Sequence, residues 1–212
     1  MLRFLVCDMG NVLIRFDPEL FFDRLEISDP GDRELLLREI FRSPLWPQLD
    51  LGELTEAELE EQVLPRLPRR LHAAAHTLIF QWDQPIQPVP GMAGFLEECK
   101  KAGLGLYLLS NASVRQPEYW PRVPGSHLFD GGVVSAFCHM AKPSPEIYRY
   151  TLEKFHLPSE ECLFVDDVGE NVTAAAGVGM EGFLFTGDAG ALRQKVRSFG
   201  ISLSPESDGE AL

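Results

Sequence analysis

The chain has 212 residues, 45% of them hydrophobic, with a formal net charge of −13. That length suits one α/β domain or a core with a smaller insert, and the apolar share is enough for a packed interior. The acidic balance disfavours nucleic acid and anionic membrane as partners, so an anionic substrate must be met by local basic groups or a metal.

Phe4–Cys7 is a short apolar run without polar alternation, which predicts a strand buried on both faces. Asp8 stands at its carboxyl end, and Gly10-Asn11 breaks it. In an open parallel sheet, ligands bind outside those carboxyl ends. Asp is also a common turn residue, and this stretch alone leaves both readings open. Arg3 before the run has the outline of a signal peptide, but Asp8 interrupts it and no small-residue cleavage site follows, so none is expected.

Residues 18–83 differ in kind. Pro18 opens a helix through Leu25, a second runs from Asp32 to Phe41, and a third begins with Thr55 as N-cap and Glu58 in the capping-box position. A fourth covers about Arg69 to Trp82, and no strand is expected here. After Pro85, Pro88 and Pro90 the α/β pattern resumes. Gly91–Ala102 is a helix, Leu106–Leu109 a strand stopping at Ser110-Asn111, and Gly132–Phe137 another strand. Ser144 caps a helix with Pro145 at its first position. Cys162–Val165 is a strand ending in Asp166-Asp167, Val172–Val178 a helix, and Phe183–Phe185 a last strand. Residues 202–212 are polar, acidic and expected to fray.

The alternation implies a doubly wound parallel α/β sheet. The core is expected over 1–15 and 84–201, with a helical cap over 16–83 that covers the active-site edge. Cys7, Cys99, Cys138 and Cys162 have no Cys-x-x-Cys spacing, which points to free, mostly buried thiols in a reducing compartment rather than disulfides or zinc. No apolar run approaches the roughly 18 residues of a membrane span, and a cytoplasmic location is expected.

Three strands thus end in polar groups, at Asp8, at Ser110-Asn111 and at Asp166-Asp167, and Lys142-Pro143 precedes the Ser144 helix. Asp8 and Asp167 can hold Mg²⁺ with oxygen ligands. Ser110 and Asn111 can donate to phosphate oxygens, and Lys142 can neutralise both phosphate and nucleophile. An Asp nucleophile forming an aspartyl-phosphate is a known form of covalent catalysis. Each piece alone has a plain structural reading as a turn, a solvated loop or a helix cap; their order along the chain joins them.

The chain resembles the haloacid dehalogenase superfamily of hydrolases. The matching motifs are Asp8-Met9-Gly10-Asn11-Val12, Leu109-Ser110-Asn111, Lys142-Pro143-Ser144-Pro145-Glu146-Ile147-Tyr148 and Phe164-Val165-Asp166-Asp167-Val168-Gly169-Glu170-Asn171. The insert is similar to that family's small helical cap. Softer local matches at Gly52-Glu53-Leu54-Thr55 and Tyr119-Trp120-Pro121 look like the bacterial α-D-glucose-1-phosphate phosphatase group. The resemblance implies a Rossmann-like core and a Mg²⁺-dependent phosphatase acting on a small phosphorylated metabolite such as a sugar 1-phosphate. Asp8 would be the nucleophile and Lys142 its orienting cation. Asp8, the Gly10 carbonyl and Asp167 would hold the metal, with Asp166 and Asn171 behind them. Met9, Gly10, Ser110, Asn111 and Trp120 would bind substrate. The protein would be a monomer or weak homodimer.

One position departs from the pattern. Most phosphatases of this superfamily carry a second Asp two residues after the nucleophile, as acid and base; here it is Gly10. General acid–base catalysis typically contributes about 10²–10⁴-fold. A sugar 1-phosphate needs less help, because an anomeric hydroxyl leaves more easily. Asp17 and His139 are within reach by topology, although Asp17 also reads as a helix cap and His139 as a structural or exposed residue. Arg15, Trp46, Trp82, Tyr119 and Trp120 are candidates for lining the pocket, with Trp120 favoured for the site and Trp82 for the core. A 2-haloacid dehalogenase, which also lacks the second Asp and needs no metal, and a weakly catalytic fold used for binding are the alternatives.

Overall fold

The computed structural model describes residues 1–203. Five parallel strands form the sheet: β1 (Phe4–Cys7), β2 (Gly105–Ser110), β3 (Gly131–Val134), β4 (Cys162–Asp166) and β5 (Glu181–Leu184), in the order β3-β2-β1-β4-β5. β1 is central because both of its faces find apolar cover. Leu5 and Cys7 point into one hydrophobic cluster and Val6 into the other, as a two-residue period requires. Burying each large aliphatic side chain there contributes about 1.5–3 kcal/mol.

The register positions the chemistry. Cys7 pairs with Leu108 on one side and Val165 on the other. The residues that follow each of them, Asp8, Leu109-Ser110 and Asp166-Asp167, therefore leave the sheet along one edge.

Between β1 and β2 the chain builds a helical unit. It comprises α1 (Pro18–Arg24), α2 (Pro30–Leu36) running on into a π-helical turn (Leu37–Phe41), α3 (Trp46–Asp50), α4 (Glu56–Val63) and α5 (His72–Phe80). These helices share their own core of Phe22, Leu36, Ile40, Leu59, Val63 and Leu78. Thr55 and Glu58 form the reciprocal capping box at the start of α4. The short helix α3 is an addition to the four expected, and its Pro47 sits in the first turn, where a missing N–H costs nothing. The core then continues with α6 (Met92–Lys101), α7 (Gln116–Tyr119), α8 (Ser135–Cys138), α9 (Pro145–Phe155), α10 (Gly169–Gly177) and α11 (Ala189–Ser198).

Two segments differ from expectation. The strand expected through Phe137 ends at Val134 and turns into α8, because the Ser135 hydroxyl is captured on both sides. It accepts from the Ala112 N–H at 2.9 Å and donates to the Asp50 carbonyl at 2.5 Å. Ser144 stands at the N-cap of α9, but its hydroxyl bonds the Glu146 carboxylate instead of a backbone N–H. All four cysteines are free, and only Cys138 is partly exposed. Leu203 is buried against the core, and residues 204–212, on which the expectation of a frayed end falls, lie outside the described residues. Among the described residues no helix is long and apolar enough to cross a membrane.

Candidate active site

The sheet edge below the helical unit opens into a cavity of about 260 Å³. Its floor is a network centred on Lys142. The lysine Nζ lies 2.8 Å from Asp8 Oδ1 and 2.7 Å from Asp166 Oδ2, and all three groups are buried. Asp166 is held in turn. Its Oδ1 accepts from the Val168 N–H at 2.8 Å and from Asn171 Nδ2 at 3.0 Å, and Asn171 Nδ2 also reaches Oδ2 at 3.1 Å. With its oxygens engaged, Asp166 is a fixed anion that aims the lysine at Asp8.

Asn111 has a similar task. Its Oδ1 accepts from the Lys142 N–H and its Nδ2 donates to the Lys142 carbonyl, both at 2.9 Å. Its amide thus fixes the backbone of the lysine loop, and Asn111 also lines the cavity. Ser110 borders the cavity and its hydroxyl has no protein partner among the described residues. It remains the open donor from β2. Met9 and Gly10 line the cavity in the turn after Asp8.

Asp167 comes next to Asp8. Asp8, Asp166 and Asp167 each offer a carboxylate oxygen, and these oxygens all lie within 4.8 Å of one another. Asn11, which sequence reasoning treated only as a strand breaker, donates from Nδ2 to Asp167 Oδ2 at 3.2 Å. Its left-handed backbone, φ 52°, is tolerated by Asn better than by most residues. Its Oδ1 also accepts the Phe16 N–H at 3.0 Å, tying the turn to the start of the helical unit.

The charges perturb one another. Burial pushes the Asp8 carboxyl up to about 6, with Lys142 opposing and Asp166 adding to the shift. Burial also raises Asp167, against the pull of Asn11. For Lys142, burial favours the neutral amine, but Asp8 and Asp166 outweigh it and the net shift is upward. A buried ammonium between two carboxylates is the stable arrangement. Oxygen donors alone, on a buried acidic cluster, are the donor set that suits Mg²⁺. Since Asp166 is consumed by Lys142, Val168 and Asn171, Asp8 and Asp167 are the two carboxylates left to hold an ion.

The cavity walls come largely from the helical unit. Phe16, Trp46, Leu49, Ile79 and Trp82 line it, with Tyr119 and Ile14 from the core. Phe16 is the hub of this aromatic wall, with ring centroids 5.9 Å from Trp46 and 5.0 Å from Trp82. Trp82, assigned to the core on sequence, both packs there and faces the cavity. Trp120, expected at the site, does not line it. Its ring meets Phe129 edge-on at 5.2 Å and borders a separate groove. Arg15 faces another surface groove.

Neither acid/base candidate reaches the cavity lining. Asp17 caps α1, accepting the Glu19 N–H at 3.0 Å. His139 is exposed, with Nδ1 2.9 Å from the Leu51 carbonyl. Two cap carboxyls that sequence reasoning missed do line it, Asp50 at the end of α3 and Glu56 at the start of α4. Glu56 accepts from Ser113 Oγ at 2.5 Å, which fastens cap to core.

A family model described as haloacid dehalogenase-like hydrolase matches residues 5–179. The chain is 29% identical over 188 residues to the sesquiterpene phosphatase astK of Aspergillus oryzae, covering 85% of this chain and 88% of that protein. It is also 29% identical over 206 residues to drimenol cyclase drtB of Aspergillus calidoustus, covering 94% of this chain but only 37% of that protein's length. Among solved structures, a haloacid dehalogenase family enzyme from Bacteroides thetaiotaomicron, in complex with magnesium and inorganic phosphate, aligns at a TM-score of 0.68 and 21% identity, covering 91% of this chain and 99% of that one. The L-2-haloacid dehalogenase of Xanthobacter autotrophicus aligns at 0.62 and 19%, covering all of this chain and 92% of that one. These two likenesses are of fold. The family match, spanning most of the chain and every strand end of the buried network, makes this protein a member of the haloacid dehalogenase-like hydrolases.

Proposed function

We propose that the protein is a Mg²⁺-dependent phosphatase that hydrolyses the phosphate monoester of a small, largely apolar alcohol through an aspartyl-phosphate on Asp8. The observation that carries the reading is the Lys142 bridge between Asp8 and Asp166, facing a cavity that also holds Asp167. Asp8, Asp167 and the Gly10 carbonyl would hold the ion. When bound, Mg²⁺ supplies neutralisation of phosphate charge and so permits an anionic nucleophile to approach.

The chain's own residues do the rest. Asp8 attacks phosphorus in line with the leaving oxygen. Lys142 keeps Asp8 ionised and oriented, and Asp166 and Asn111 keep Lys142 in place. Ser110 donates to a phosphate oxygen. The closed cap excludes bulk water from the aspartyl-phosphate. The close approach of Asp8 and Asp167, with Asp166 beside them, makes most sense as a metal site and so favours this reading over a metal-free dehalogenase.

The substrate class follows from the walls. The half of the cavity above the carboxylates is built from Phe16, Trp46, Leu49, Ile79 and Trp82. Apolar walls with a few convergent polar groups select an apolar body with one polar end. The name of the sesquiterpene phosphatase relative points the same way. The sugar phosphate suggested by the likeness to glucose-1-phosphate phosphatases is the second reading, because aromatic faces also stack on sugar rings.

The test is phosphate release from a panel of long-chain alkyl, prenyl and sugar monophosphates, with Mg²⁺ and with chelator, beside Asp8→Asn. Chelator-sensitive release lost in the variant, and fastest on the apolar esters, is expected. Absence of release across the panel refutes the phosphatase; release only from sugar phosphates refutes the apolar substrate.

A further inference from the structure

The position that usually carries the proton donor of a phosphatase in this family is Gly10, and no side chain can act there. The mechanism above still needs one. An alkoxide is a poor leaving group, and water is a poor nucleophile.

Asp50 is the residue in the right place. It ends α3, a helix of the cap, and it lines the cavity together with Asp8, Met9 and Gly10. Its carboxyl has no hydrogen bond or ion pair among the described residues, neither oxygen is sealed in protein, and the residue lines the cavity. Its backbone is fixed. The Asp50 carbonyl accepts from Ser135 Oγ at 2.5 Å, and the next carbonyl, that of Leu51, is met by His139 Nδ1 at 2.9 Å. A carboxyl held on a pinned backbone, with no structural task of its own, is positioned for chemistry.

We propose that Asp50, from the cap, is the general acid and base of this enzyme in place of the missing core aspartate; the inference rests on the phosphatase reading above. In the first step the Asp8 oxygen bonds to phosphorus, the bond from phosphorus to the alcohol oxygen breaks, and the departing oxygen takes the proton of the Asp50 carboxyl. In the second step the Asp50 carboxylate takes a proton from water, the water oxygen bonds to phosphorus, and the bond to Asp8 breaks. Inorganic phosphate leaves, and both aspartates return to their starting states.

The surroundings suit an acid that carries its proton near neutrality. Burial, then repulsion from Asp8, pushes Asp50 up to about 7, with Lys142 pulling against it and Glu56 adding to it. Tyr119 lines the same cavity, and burial, then repulsion from Asp50, raises its hydroxyl. Because Asp50 belongs to the cap, the proton donor is present only when the cap is seated, which couples chemistry to closure.

The leaving group separates this role from a merely structural one. A p-nitrophenolate departs without a proton, and an alkoxide does not. In Asp50→Asn, kcat on a long-chain alkyl phosphate should fall about 10²–10⁴-fold with little change in KM. On p-nitrophenyl phosphate the same variant should give a burst of nitrophenolate equal to the enzyme present, then slow turnover as the aspartyl-phosphate waits for water. A second variant protects the test. A Cβ at Gly10 would meet only Phe16 Cβ at 3.7 Å, an ordinary contact. Adding Gly10→Asp to Asp50→Asn should therefore restore alkyl phosphate turnover at least tenfold.

Equal losses on both substrates without a burst, or no loss on either, overturn the role of Asp50 while leaving the phosphatase standing. A wild-type protein that releases no phosphate overturns both.

Discussion

Replacing Lys142 with Met would test the electrostatic core of the site. The lysine side chain is 2% exposed, and it separates Asp8 from an Asp166 that is fully buried. Met keeps most of the stem and removes the charge. Breaking a buried pair by deleting one partner costs roughly 3–5 kcal/mol, because the other charge is left uncompensated. For a chain of this size 1 kcal/mol moves the melting temperature by about 2–4 °C. Metal-free Lys142→Met should therefore melt about 6–20 °C below wild type at pH 8. The pH sense follows from Asp8. Its folded value of about 6 already lies above its unfolded one, and losing Lys142 raises it further. A carboxyl of this kind stabilises the fold below its unfolded value and loses that contribution as pH rises through its folded value. The deficit should accordingly be smaller at pH 5 than at pH 8, and Asp166→Asn in the same chain should recover part of it. Thermal melts of the three proteins in chelator, at both pH values, give the answer. A deficit under about 2 °C at pH 8, or one that grows toward pH 5, would refute the reasoning.

Other outcomes follow from the same geometry. Mg²⁺ at about a hundred times its dissociation constant should stabilise the protein by roughly 2.7 kcal/mol, and Asp167→Asn should abolish most of the shift; an undiminished shift would place the ion elsewhere. Trp46→Ala removes an aromatic wall of the cavity, so KM for a long-chain alkyl phosphate should rise about tenfold, near 1.4 kcal/mol, with a smaller change for p-nitrophenyl phosphate; equal changes for both would deny a wall that reads the alcohol. Gly52 has φ +67°, and a Cβ there would come 2.5 Å from the Ala136 carbonyl. Gly52→Ala should cost at least 1–2 kcal/mol in urea melts from backbone strain alone and loosen the cap beside Asp50, and an unchanged midpoint would count against the tight seat.

How much of this was legible in the sequence depends on range. β1, β2 and β4 announce themselves as apolar runs that end in polar groups, because a strand buried on both faces has no other way to be written. Parallel register then brings Asp8, Ser110 and Asp166 to one edge without further information. The end of β3 was not legible. Its apolar run continues to Phe137, and what stops it is the Ser135 hydroxyl bonding to Asp50, far away in the chain. The aromatics failed for a related reason. Trp82 and Trp120 look alike in sequence, and only the docking of the helical unit decides which one faces the cavity. Asp50 was hidden between the second expected helix and the capped one, in a stretch where no element was expected. Nothing local marks a carboxyl as unpartnered.

The charge of the cavity narrows what it can accept. Three carboxylates stand against one lysine at its floor, and Asp50 and Glu56 add acidic groups above them. Lys142 is the only lysine or arginine in the lining among the described residues, and its ammonium is already shared by two carboxylates. A phosphate dianion cannot be recognised here as it is in a site of arginines. On the proposed function it would arrive with a divalent cation held by Asp8 and Asp167 and would find its remaining affinity elsewhere. The neighbouring surface that can provide it is the aromatic wall, whose contribution grows with the apolar area it covers. A polyanionic ligand would add repulsion that a single ion cannot cancel, and a small polar one would leave the wall wet. A single phosphate on an apolar body meets both conditions, so the electrostatics of the floor and the hydrophobicity of the wall both support the proposed substrate class.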